Sequence, residues 1–114
     1  MEKDLSKKSI IESDFSEEGM LTIDVYQTPK EIVIESAVGG VNPENIKISV
    51  NDDEITISGE RKRENNISEK DFFYQECYYG KFSRSVVLPV KIKPEEATSG
   101  IKNGILTVRL PKAK

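Results

Sequence analysis

An all-β fold of antiparallel strands, a sandwich or a barrel, is what this 114-residue chain predicts, and three observations carry it. Thirteen Ile and nine Val stand against five Leu, and β-branched side chains favour a pleated surface over a helix. From Met20 onward apolar residues alternate with polar ones, the period of a half-buried strand. Between the alternating runs stand clusters of Pro, Gly, Asn and Asp, each with its own turn mechanism.

Leu21, Ile23 and Val25 form the first alternation, which Thr28-Pro29-Lys30 ends. Ile32, Ile34 and Val38 carry the second, and Gly39-Gly40-Val41-Asn42-Pro43-Glu44 turns the chain. Ile46, Ile48 and Val50 form the third, separated by Asn51-Asp52-Asp53 from Ile55 and Ile57. After Gly59 the rhythm breaks into a polar excursion, Glu60 to Asp71, with eight charges in twelve residues. Phe72 to Tyr79 then reads as an aromatic strand, and Phe82, Val86 and Leu88 as the next, stopped by Pro89. Pro94 to Thr98 has room for one helical turn, with two glutamates near its start. Ala97, Ser99 and Ile101 lead to Asn103-Gly104, the strongest short hairpin signal, and Ile105 to Pro111 completes the pattern. The first 18 residues hold no helical stripe of useful length, so residues 1–19 are expected to form a disordered or loosely docked arm.

A chain of this length accommodates one domain and not two. Leu, Ile, Val and Phe make up 31 residues, too many for a disordered chain and too few for a membrane protein. No apolar run exceeds three residues, so neither a transmembrane helix nor a secretory signal is expected. The single cysteine, Cys77, can form no internal disulfide, and a reduced, cytoplasmic protein is the expectation. The formal charge of −3 resides in the first 18 residues, which hold three Lys against six Asp or Glu; the rest carries 14 of each sign. A neutral body with interleaved signs lacks the clustered Lys and Arg that displace counterions from phosphate, so no nucleic-acid partner is expected.

Catalysis finds few tools here. Without His, most acid–base triads and zinc sites are excluded, and nothing obvious would activate Cys77 as a nucleophile. Gly80-Lys81-Phe82 lacks the Ser or Thr and the glycine spacing of a phosphate-binding loop. Asn51-Asp52-Asp53-Glu54 lacks the central Gly and distal Glu of a calcium loop and reads as a turn. Arg61-Lys62-Arg63 is flanked by Glu60 and Glu64, which cancel most of its field. No catalytic residue, metal site or cofactor is therefore expected. Arg84 is the odd residue, sharing strand parity with Phe82, Val86 and Leu88; it needs a carboxylate, for which Glu76 is a candidate, or an exit to solvent.

Two segments carry a family resemblance. Gly80-Lys81-Phe82-Ser83-Arg84-Ser85-Val86-Val87-Leu88-Pro89, then Ala97 to Lys112 with its Asn103-Gly104-Ile105-Leu106-Thr107-Val108 and Leu110-Pro111, resemble the α-crystallin domain of small heat-shock proteins. Val25-Tyr26-Gln27-Thr28, Val41-Asn42-Pro43-Glu44-Asn45-Ile46 and Ile57-Ser58-Gly59-Glu60-Arg61 fall in the family's order. The resemblance covers residues 20–112, leaving 113–114 as a cut-short tail.

It implies an immunoglobulin-like antiparallel β-sandwich with a strand-bearing loop exchanged between subunits. The implied function is that of an ATP-independent holdase, which binds non-native proteins and keeps them from aggregating. The exchanged strand maps to Phe72–Cys77, so Phe72, Phe73, Tyr74, Glu76 and Arg84 are the expected dimer contacts. An aromatic strand beyond a charged tether is an aggregation hazard unless a neighbour's edge pairs with it. The family's hydrophobic groove maps to Ile46, Ile48 and Val50 facing Ala97, Ser99 and Ile101, a site for clients or for an Ile-x-Ile tail. Here the sequence stops at Lys112-Ala113-Lys114 and the arm is short, so a homodimer is expected, with a larger homo-oligomer as the alternative. Gly39 replaces the family's usual Pro, which would loosen that turn. Two other classes stand beside the holdase. A co-chaperone adaptor has a related sandwich but lacks the long loop; an enzyme or carbohydrate-binding sandwich is disfavoured by the lack of Trp, His and a convergent polar motif.

Overall fold

The computed structural model describes residues 18–114. Eight strands follow one another: β1 (Glu18–Met20), β2 (Asp24–Gln27), β3 (Glu31–Ala37), β4 (Ile46–Val50), β5 (Glu54–Arg61), β6 (Gly80–Val87), β7 (Thr98–Lys102) and β8 (Ile105–Pro111). They form two four-stranded sheets, ordered β1-β6-β5-β4 and β2-β3-β8-β7. Every pairing is antiparallel except that of β1 with β6.

The turns form where the residue chemistry places them. Thr28 Oγ1 accepts from the Lys30 and Glu31 amides, at 3.3 and 3.0 Å, and tightens the β2–β3 hairpin. Asn42 caps a 3-10 turn at Pro43–Asn45, its Oδ1 accepting from the Glu44 amide at 3.0 Å, as the chain crosses from one sheet to the other. Asn51 Oδ1 accepts from the Asp53 amide in the β4–β5 turn. Pro94–Glu96 makes the single turn of 3-10 helix that its sequence allows. Asn103 and Gly104 take φ of 54° and 78°, the left-handed pair that a two-residue hairpin requires.

Pairing in register puts side chains on a common face, which fixes the core. Ile32 and Ile34 lie opposite Leu110 and Val108; Ile55 and Ile57 lie opposite Val86 and Arg84. These inner faces, with Phe82, Leu21, Val38, Leu88, Ile92 and Leu106, form one buried cluster. Buried Ser36 is satisfied, its Oγ donating to the Thr22 carbonyl at 2.7 Å. The alternation assigned Ile32 and Ile34 to the core but missed Val33, which faces outward and is nonetheless 0% exposed. Its register partners on the outer face are Tyr26 and Arg109, held by hydrogen bonds to Glu35 at 2.9 Å and to Glu31 at 3.0 Å. The bond to Glu35 raises the pKa of the Tyr26 phenol.

Several expectations are corrected. Residues 1–17 of the expected arm lie outside the described residues, but Glu18 and Gly19 are in β1, paired with Lys81 and Phe82. The first alternation is split, because Leu21 to Ile23 connect β1 in one sheet to β2 in the other. The turn at Gly39 is braced rather than loosened: the Gly39 carbonyl accepts from Arg61 Nε at 2.9 Å, and the Val41 amide donates to the Val38 carbonyl.

Gly59 occurs where backbone and ring meet. A Cβ there would lie 2.7 Å from both the Asn45 carbonyl oxygen and Phe82 Cζ. Phe82 is buried and the carbonyl is main chain, so neither yields cheaply. Gly59→Ala is expected to destabilise the sandwich by about 1–3 kcal/mol, read as a lower urea midpoint at unchanged slope.

Candidate functional site

The connection between β1 and β2 is three residues long and includes buried Leu21, so these edge strands close the same side of the sandwich. The opposite side is bounded by β4 and β7, the other edges of the two sheets. Ile46, Ile48 and Val50 lie opposite Gly59, Ile57 and Ile55, and therefore face inward. Ser99 and Ile101 lie opposite Val108 and Leu106, and also face inward. Yet this side is not sealed. The three β4 residues are only partly covered, Ala97 packs against the core rim, and β7 is exposed along its whole length, with Ile101 37% exposed. Among the described residues, each strand also leaves one row of peptide groups without a neighbouring strand. Ile46, Ile48, Val50, Ser99 and Ile101 thus lie on the inward faces of the two edge strands that bound this side, and Ala97 lies just before β7.

The expected dimer residues are placed differently. Within the chain, Phe72–Tyr79 forms no strand, a correction to the sequence reading. A strand exists only against a neighbour, and the β5–β6 ladder that roots this loop ends at Arg61 opposite Gly80. Glu69–Asp71 makes a 3-10 turn; Phe72 is half-buried, and Phe73 and Tyr74 are 98% and 84% exposed. Glu76 is exposed and does not pair with Arg84. Arg84 faces inward opposite Ile57, as parity implied, but its Nη1 donates to the Leu21 carbonyl at 3.0 Å. Among the described residues, its acceptor within the chain is this main-chain carbonyl rather than Glu76. Cys77 is an exposed free thiol on the same loop.

One feature of the loop escaped the sequence reading. The Arg63 guanidinium carbon stands 4.1 Å from the Tyr79 ring centroid and 5.1 Å from that of Phe72. Its flanking glutamates suggested a solvated charge, and only folding brings the two rings to it. Elsewhere, Lys91 bridges Asp52 at 3.4 Å and Asp53 at 3.6 Å, and the hydrogen bond to Asp52 raises its pKa. Among the described residues no cluster of His, Cys, Asp and Glu could hold a metal ion, and no helix is long and apolar enough to cross a membrane.

An eight-stranded, two-sheet sandwich with a short β1–β2 crossing at one side and β4 and β7 at the other belongs to the class of immunoglobulin-like β-sandwich domains. More narrowly, the chain belongs to the Hsp20/alpha crystallin family, whose match covers residues 24–114. It is 38% identical over 93 residues to the 16.9 kDa class I heat shock protein 1 of Triticum aestivum, covering 81% of this chain and 62% of that protein. It is 32% identical over 89 residues to small heat shock protein C4 of Rickettsia felis, covering 78% of this chain and 55% of that protein. The chain thus spans little more than half to three-fifths of the length of these relatives. Among solved structures, heat shock protein 16.0 from Schizosaccharomyces pombe superposes with a TM-score of 0.79 at 30% identity, over 88% of this chain and 71% of that one. A small heat-shock protein from Xylella fastidiosa, described as having a distinct high order structure, superposes at 0.72 with 26% identity, over 82% and 86% of the two chains.

Proposed function

We propose that this chain is an ATP-independent holdase, working in the cytoplasm as a strand-exchanged homodimer or a larger homo-oligomer, that captures non-native proteins along the open edge between β4 and β7. The observation that carries the reading is the partly exposed apolar residues Ile46, Ile48 and Val50 of β4 and Ile101 of β7, on two strand edges that no other described strand covers. Unfolding proteins expose the complementary features, apolar side chains and unsatisfied peptide groups, and an extended segment satisfies both by adding to a strand edge. Burial of apolar surface supplies the driving force, so capture needs no chemical step.

The aromatic loop supports the dimer. Of the edge strands, β4 and β7 flank the groove and β1 is three residues long, which leaves β2 as the acceptor of a partner's Phe72–Cys77 segment. All four β2 residues are exposed, Val25 and Tyr26 among them. Reciprocal exchange closes a two-fold dimer and removes both free edges together.

The test is light scattering from a heat-unfolding client, with and without stoichiometric amounts of the chain and without nucleotide. Suppressed scattering is the expected result. Unabated aggregation beside a folded chain would overturn the holdase reading and favour the adaptor.

A further inference from the structure

We propose that Arg63 is the positioning residue of the exchange loop, clasping its root through Tyr79 and Phe72 so that the segment beyond is held out for a second subunit. The proposal rests on the strand-exchange reading above. Two residues past the last rung of the β5–β6 ladder, Arg63 lies over Tyr79, the last loop residue before β6, and over Phe72 at the far end of the charged tether. From Lys62 to Tyr79, Arg63 and Phe72 are the only half-buried residues; every other one is exposed. The half-buried residues of the loop are therefore the guanidinium and one of the rings it lies against, while Tyr78 is tied separately to the Lys81 carbonyl.

The choice of arginine has a physical reason. The tether from Glu64 to Asp71 is polar apart from Ile67 and offers little to pack, so the loop cannot be ordered by an apolar core of its own. A planar cation can lie against two rings while keeping its N–H groups hydrated, which suits a site at the surface. The clasp also sets direction. Phe72 has extended backbone, φ −81° and ψ 136°, and Phe73 follows it directly in the chain. With Phe72 pinned toward Arg63, Phe73 is turned outward, as its near-complete exposure shows. Part of the ordering cost of association is thus met in the monomer, before the partner arrives.

The full chain tests this in three variants, Arg63→Ala, Arg63→Lys and Tyr79→Leu. Dimer dissociation is read by sedimentation equilibrium, and loop opening by the rate at which a glutamate-specific protease cuts diluted, monomeric protein at Glu69 and Glu76. In Arg63→Ala the dimer is expected to dissociate about tenfold more readily and the loop to be cut faster, with an unchanged melting temperature. Lysine should recover part of both effects, since it keeps the charge but not the planar stack. Arg63→Ala should add little in the Tyr79→Leu background, because the contact is already gone. Wild-type dissociation and wild-type cleavage in Arg63→Ala would overturn the proposal. A wild-type chain that stays monomeric would instead sink strand exchange, leaving the clasp to be judged on the cleavage rates and on lysine rescue.

Discussion

Replacing Phe73 and Tyr74 together by aspartate is expected to reduce the mass in solution from that of two chains to that of one, with the sandwich intact. The two side chains are 98% and 84% exposed, so their removal takes almost nothing from the monomer's own packing. Burial against a partner is another matter. An aromatic side chain buries roughly 150–250 Å² at an interface, which at about 25 cal/mol per Å² amounts to about 4–6 kcal/mol. Two-fold exchange uses each pair twice, and each replacement also forces a carboxylate toward an apolar contact. A tenfold change in affinity corresponds to about 1.4 kcal/mol, so the expected loss spans several decades even after discounting for imperfect burial. Sedimentation velocity at micromolar concentration, beside a melting curve, checks both halves. A double variant that keeps the wild-type mass would rule out this segment as the dimer contact.

The second large effect is expected at the open edge. Ser99→Asp with Ile101→Asp should abolish suppression of client aggregation while shifting the melting temperature by no more than a few degrees. Both residues project inward from β7, yet both are exposed, so the native sandwich tolerates charges there with water still at hand. A bound client segment would remove that water, and an unpaired buried carboxylate costs more than an apolar contact contributes. Fold and capture therefore separate. Intact suppression by a folded double variant would move the capture site away from the β4–β7 edge. Ile57→Asp is the contrasting control, since Ile57 is buried in the core and its replacement should unfold the chain.

These predictions draw unequally on sequence and structure. The alternation of Ile46, Ile48 and Val50, and that of Ser99 and Ile101, already assigns these residues to one face of their strands, because the period of a strand is local geometry. That the two strands bound the same side follows from the short β1–β2 connection and from the strand order of each sheet, which are tertiary facts. The aromatic segment shows the limit most plainly. Its composition satisfies every local rule for a strand, but strand structure also needs an edge to bond to, and the β5–β6 ladder that roots the segment ends at Arg61 opposite Gly80. Arg84 shows the same limit for a side chain. Parity placed it inward; the nearest acceptor proved to be the Leu21 carbonyl, delivered by a chain crossing that no pattern around Arg84 announces.

The sequence by itself determined the all-β class, the turns at Thr28 and at Gly39–Glu44, the two-residue hairpin at Asn103-Gly104 and the shared strand parity of the groove residues. All of these depend on backbone preferences and on neighbours a few residues away. Only the tertiary structure decided which edge of the sandwich is sealed and which is open, that Val33 is buried on the outer face, and that Arg63 lies against two rings. Each of those depends on groups distant in sequence being brought within contact distance, where short-range packing and hydrogen bonding act and local periodicity carries no information.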